Sequence, residues 1–167
     1  MKRKLRALLA LALTLLLLCG CAAGAAEAGE NTCTISICCA TLLDKTADLT
    51  PEKAELVPAD GWLLPETQVS FSDGESVFDV LQRVCQSNKL HMEFSKTPVY
   101  DSAYIEGIGN LYEFDAGALS GWVYSVNGWF PNYGCSRYEL KDGDVILWQY
   151  TCDLGQDVGA ELDEVQT

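Results

Sequence analysis

From Asn31 onward, polar and apolar positions follow short periods. "NTCTISICCATLL" alternates, with Ile35 and Ile37 on one face and Thr34 and Ser36 on the other, which predicts a half-buried strand. "DKTADLTPEKAELVPADG" is polar and punctuated by Pro51 and Pro58, so it predicts a connection with one helical turn after Thr50. "WLLPETQVSFSDG" reads as short strands broken at Pro65 and closed by Asp73-Gly74. "ESVFDVLQRVCQSN" switches to helical spacing at Val77, Val80, Leu81 and Val84, behind a Ser76/Asp79 pair that suits a capping box. "LHMEFSKTPVYDSAYIEGIGNLYEF" predicts short strands and turns. In "YELKDGDVILWQYTC" a turn at Asp142-Gly143 leads into a strand through Ile146, Trp148 and Tyr150. One helix among many strands makes an α+β domain, with the helical stripe buried on a mixed sheet.

"SGWVYSVNGWFPN" is the most aromatic stretch of the chain. Trp122, Tyr124 and Val126 alternate and share one strand face. Asn127-Gly128 predicts a type I′ turn, because both central residues need positive φ. Such a turn sets Val126 opposite Trp129 and so places Trp129 with Trp122 and Tyr124 in the core. Pro131 ends the strand. Phe130, Asn132 and Tyr133 then fall in a loop and are the expected ligand contacts, with Phe130 and Tyr133 expected to be exposed.

The N-terminus changes this picture of a single domain. Lys2, Arg3, Lys4 and Arg6 precede an apolar run from Ala7 to Leu18. That run is shorter than the roughly 20 residues a spanning helix needs, so it reads as an export signal. Its end, Leu18-Cys19-Gly20-Cys21, resembles the lipobox of bacterial lipoproteins, which implies that Cys21 is lipidated after cleavage. Cleavage in "AAGAA" to release a soluble protein is the alternative. "AAGAAEAGEN" has nothing to bury and predicts a flexible tether. The expected organisation is a signal at 1–20, a tether at 21–31, a domain at 32–154 and a polar, frayed tail at 155–167.

Charge narrows the partners. The chain carries −13, and loss of the four leader cations takes it to −17. The remaining Lys and Arg are scattered, which argues against nucleic acid and against anionic lipid head groups as ligands. Six cysteines lie beyond the tether: Cys33, Cys38, Cys39, Cys85, Cys135 and Cys152. In an exported chain disulfides are the expectation, with the pairing left open. Zinc is the lesser reading, since the cysteines lack paired close spacing and His91 is the sole histidine.

"GESVFDVLQ", "YIEGIG", "GWVYSVNG" and "YELKDGDVILWQY", in that order, resemble the transcobalamin-like C-terminal domain of bacterial surface lipoproteins. The stretch from Val69 to Tyr150 is also similar to the smaller domain of the vertebrate cobalamin carriers. The resemblance implies a β-grasp-like fold, one helix on a mixed sheet, with the first and last strands as parallel neighbours. In the vertebrate carriers the resembling domain closes over cobalamin held on a large helical domain. A corrinoid is therefore the implied ligand. The parallel pairing would set Cys39 and Cys152 at matching strand ends, and a Cys39–Cys152 bridge is expected on that basis.

Catalytic patterns are thin. No phosphate loop and no His-Glu-x-x-His occurs, and any His-based nucleophile would have to use His91, which reads as a surface residue. Asp142, Asp144, Asp153 and Asp157 read as turn residues, since their spacing is not that of an EF-hand loop. The sequence thus predicts no catalysis, no cofactor and no metal. It predicts a surface binding module for a corrinoid or another flat ring compound, or else a structural or adhesive module recognising a partner protein or glycan.

Overall fold

A computed structural model describes residues 31–97 and 102–160. The expected signal, lipidated Cys21 and all of the tether except Asn31 lie outside the described residues. Within them no helix is long and apolar enough to cross a membrane.

Among the described residues seven strands form two sheets. The first is mixed and four-stranded, in the order β2-β1-β7-β6. It contains β1 (Asn31–Cys38), β2 (Trp62–Phe71), β6 (Gly121–Val126) and β7 (Val145–Thr151). The central pair, β1 and β7, is parallel, with Ile35 opposite Ile146 and Ile37 opposite Trp148. The outer pairs are antiparallel. This is the expected β-grasp-like arrangement, and parallel central strands are possible because a long crossover separates them. The second sheet is small and antiparallel, in the order β3-β4-β5. It comprises β3 (Met92–Thr97), β4 (Ser102–Ile108) and β5 (Leu111–Tyr112).

Pro65 does not break β2, contrary to the sequence reading. Thr67 pairs with Ile35 and Leu64 with Ile37, so Pro65 and Glu66 together stand opposite Ser36 as a bulge. β2 is an edge strand, and a bulge on an edge is where a residue without an N–H is tolerated.

The single turn α1 (Pro51–Ala54) starts at Thr50, as the sequence predicts. The main helix α2 (Val77–Ser87) opens with the predicted capping box. The Asp79 amide donates to Ser76 Oγ at 3.3 Å, and the Ser76 amide donates to the Asp79 carboxylate at 2.8 Å. Val77, Phe78, Val80, Leu81, Val84 and Cys85 are its buried face. They share one core with Ile35, Ile37, Ile146, Trp148 and Tyr150. Each such side chain stabilises the fold by about 1.5–3 kcal/mol through burial. Phe78 meets Phe94 of β3 edge-to-face at 4.7 Å, which joins the helix to the second sheet.

The expected bridge differs. All six cysteines beyond the tether are free thiols, Cys39 and Cys152 among them. The register sets Cys38 opposite Gln149, so the next residue, Cys39, stands two residues short of Cys152. At the strand rise that is roughly 7 Å along the sheet, beyond easy bridging reach. Of the expected tail, residues 161–167 lie outside the described residues, and its beginning is tied to β7. Asp157 accepts the Cys152 amide at 2.7 Å and the Thr151 hydroxyl, and Gln156–Val158 form a 3-10 turn.

Candidate functional site

The loop that follows β6 is pinned at both ends. Asn127 (φ 53°) and Gly128 (φ 80°) make the predicted turn. Val126 and Trp129 exchange both backbone hydrogen bonds, at 2.9 and 3.0 Å. The Asn127 side chain ties the turn to the start of β7. Its amide donates to Asp144 Oδ1 at 2.8 Å, and its Oδ1 accepts the Val145 amide at 2.9 Å. Beyond Pro131, the Tyr124 hydroxyl donates to the Tyr133 carbonyl at 3.0 Å. Gly134 lies so close to β4 that a Cβ there would come within 2.5 Å of Ser102 Oγ. Ser136 Oγ accepts the Ala103 amide at 2.8 Å, and Cys135 is buried.

The aromatic side chains divide, but not as the sequence predicts. Trp122 and Tyr124 are core, as expected. The Trp122 indole donates to the Leu111 carbonyl at 2.8 Å and meets Tyr150 edge-to-face at 5.3 Å. Tyr124 stacks on Trp148 at 5.2 Å. Trp129 is not core: it is 53% exposed. The parity argument placed it correctly opposite Val126, but β6 is the outermost strand, and the chain makes a single bridge with it before leaving. Pro131 offers no N–H to continue the ladder. Trp129 therefore stands beyond the sheet edge, where no strand among the described residues covers it. Phe130 and Tyr133, expected to be exposed, are half-buried, and Asn132 is exposed.

What results is a small aromatic platform. Trp129 and Tyr133 meet at 6.0 Å with their rings inclined at 63°. The Arg137 guanidinium lies 5.8 Å from the Tyr133 ring centre, within cation–π reach. Sequence reasoning missed Arg137. Its signal was available: it is the one cation between Lys96 and Lys141 in an acidic chain.

The other candidates resolve as structural groups. His91 is exposed, with Nε2 at 2.9 Å from the Tyr112 hydroxyl. Lys53 pairs with Asp115 at 2.9 Å and lies over the Tyr112 ring at 4.4 Å. Asp142 accepts the Thr32 amide at 2.9 Å, and Asp144 accepts the Lys141 amide at 2.9 Å. These carboxylates hold turns. Among the described residues no cluster of three or more His, Cys, Asp or Glu side chains is arranged to hold a metal ion. Burial pushes the thiols of Cys39, Cys85 and Cys135 up to about 12, so none is a thiolate at neutral pH.

The fold and this loop define a β-grasp-like α+β domain that presents an aromatic platform beside a sheet edge. Residues 74–152 match the family model described as "Domain of unknown function (DUF4430)". No curated protein matches the chain in sequence. Among solved structures it is similar to haptocorrin, crystallised in complex with Cbi. The TM-score is 0.52 at 12% identity, over 75% of this chain and 26% of the haptocorrin chain. A Ruminococcus gnavus ATCC 29149 protein, provisionally titled metal-binding, aligns at a TM-score of 0.43 and 15% identity, over 73% of this chain and 97% of that one. The likeness to haptocorrin agrees with the transcobalamin-like fold read from the sequence, and at that identity it concerns fold alone.

Proposed function

We propose that this protein is a non-catalytic binding module, held at the extracytoplasmic face of a membrane through lipid on Cys21. In this reading the loop after β6 takes a flat ring compound, with a corrinoid as the first candidate. One observation carries the reading: Trp129 is exposed in edge contact with Tyr133, beside Arg137, on a backbone pinned by Tyr124, Asn127 and Gly134. An exposed indole on a rigid backbone gives a ring ligand a stacking surface at little ordering cost. Arg137 adds attraction for an electron-rich or anionic substituent. The fold shared with haptocorrin, a protein crystallised with Cbi, supports trying a corrinoid first. The absence of catalysis is favoured by protonated, buried thiols and by a His91 engaged with Tyr112.

The second reading keeps the same loop and changes the ligand to a partner protein or glycan. Exposed Asn132 close in sequence to Trp129 favours it, because sugar recognition combines a stacking ring with side-chain amide hydrogen bonds.

The test is a titration of the purified mature chain with a corrinoid and, separately, with a glycan panel, read by tryptophan fluorescence. Binding lost in Trp129→Ala and weakened at least tenfold in Arg137→Gln supports the loop as the site. A ligand bound equally well by both variants overturns it. Anchoring is tested by fractionation. A Cys21→Ala variant should move from the membrane to the soluble fraction, and one that stays membrane-bound refutes the lipid anchor.

A further inference from the structure

A second exposed surface lies at the other end of β6, five residue steps or roughly 17 Å from the Trp129 turn. Three large apolar residues lie there on adjoining loops: Phe114 is 61% exposed, Leu119 46% and Leu154 51%. Backbone hydrogen bonds knit these loops together. The Phe114 amide donates to the Ser120 carbonyl at 3.0 Å, and the Leu154 amide donates to the Leu119 carbonyl at 2.9 Å. Below them the Tyr150 hydroxyl donates to the Tyr112 carbonyl at 2.7 Å and lies 3.0 Å from Ser120 Oγ, so the loops rest on the core.

Two of the three residues are held in an unfavourable backbone conformation. Phe114 has φ 68° and Leu154 has φ 50°. Glycine or asparagine is the ordinary occupant of that region, and a bulky side chain there is rare. These positions therefore expose apolar area and forgo the residue that would relax the loop. Folding alone gains from neither. Local cost of this kind is found where a surface serves binding.

The rim says what would bind. Glu113–Ser120 and Cys152–Ala160 carry Glu113, Asp115, Asp153 and Asp157 and no Lys or Arg. Asp115 is paired with Lys53, whereas Glu113, Asp153 and Asp157 form no salt bridge among the described residues. We propose that Phe114, Leu119 and Leu154 form a docking surface for a polypeptide segment that carries apolar side chains flanked by Lys or Arg. A second copy would bring a like-charged rim to the same place, and anionic lipid would be repelled by it. The surface is separate from the Trp129 loop, and the proposal does not rest on that loop's function.

The probe is a synthetic peptide of Leu and Lys in amphipathic order, measured by calorimetry against the mature chain. The same peptide with Glu in place of Lys is the control. The parent should bind the Leu/Lys peptide with clear salt dependence and ignore the Leu/Glu peptide. The triple variant Phe114→Asn, Leu119→Ser, Leu154→Asn keeps every rim acid and should bind at least tenfold more weakly. Single Phe114→Asn should weaken binding while melting no lower than the parent, since Asn accepts positive φ. That single variant carries the test if the triple variant does not fold. Unchanged affinity in a folded variant would show that charge alone holds the peptide and would overturn the proposal. So would binding to zwitterionic vesicles, or self-association in the ultracentrifuge, that the same substitutions abolish.

Discussion

Trp122 and Trp129 sit seven residues apart on one hairpin, yet truncating them should have opposite consequences. Trp122 is buried at 7% exposure, in edge contact with Tyr150, and its indole satisfies the Leu111 carbonyl. Trp122→Ala leaves a cavity in the core, which for a large aromatic costs about 3–5 kcal/mol. It also strips the Leu111 carbonyl of its partner, a cost on the order of 1 kcal/mol. Trp122→Phe separates the two effects: it keeps most of the packing, loses the N–H, and should cost roughly 1–3 kcal/mol. Trp129→Ala removes a side chain that is 53% exposed and loses the edge contact with Tyr133, and should cost no more than about 1 kcal/mol. Equilibrium urea unfolding of the purified protein, followed by far-UV circular dichroism, reads all three. The m-value should be unchanged, so that midpoints report stability. The reasoning fails if Trp129→Ala costs more than about 1.5 kcal/mol, or if Trp122→Ala costs less than Trp122→Phe.

Further outcomes follow from single features. Ser76→Ala breaks the capping box of α2 and should destabilise by about 1 kcal/mol in the same unfolding assay, whereas Ser76→Asp should recover most of it. Among the described residues the buried Trp148 indole N–H has no partner, so Trp148→Phe should cost less than Trp122→Phe although both retain an aromatic ring. The thiols of Cys39, Cys85 and Cys135 sit near 9 when unfolded and at about 12 when folded, for reasons of burial. An acid whose folded pKa is raised contributes stability that is present below its unfolded value and lost as pH rises. Melting temperature should therefore fall between pH 9 and about 12, with each thiol contributing at most about 1.4 kcal/mol per pH unit. A Cys39→Ser, Cys85→Ser, Cys135→Ser variant that loses stability with the same pH profile would show that the thiols are not responsible.

Local chemistry specifies much of this fold. The Ser76/Asp79 pair with apolar residues at helical spacing gave α2, because capping and periodicity act over a few residues. Thr50-Pro51 gave the short turn α1 for the same reason. Asn127-Gly128 gave a turn of the right type, since the need for positive φ is a property of the two residues themselves. Alternation placed Trp122 and Tyr124 inward. The parallel neighbours β1 and β7 were legible only through family resemblance, because no local signal tells which distant strands will pair.

The errors share one origin. Pro65 was read as a break because a central strand cannot spare an N–H, but β2 lies at the edge, and edge position is set by the whole sheet order. Trp129 was assigned to the core because parity fixes a face, whereas burial depends on whether another element covers that face. β6 ends the sheet, and the chain departs at Pro131. Arg137 joined the site only because Gly134 and Ser136 dock the loop on β4, a contact across more than thirty residues of chain. No local signal marks Phe114 or Leu154; the fold fixes both at positive φ and leaves both exposed. What the sequence determined by itself was what neighbouring residues decide between them: caps, turns and strand faces. Edge, cover and docking are relations between segments far apart in the chain, and only the tertiary structure decided those.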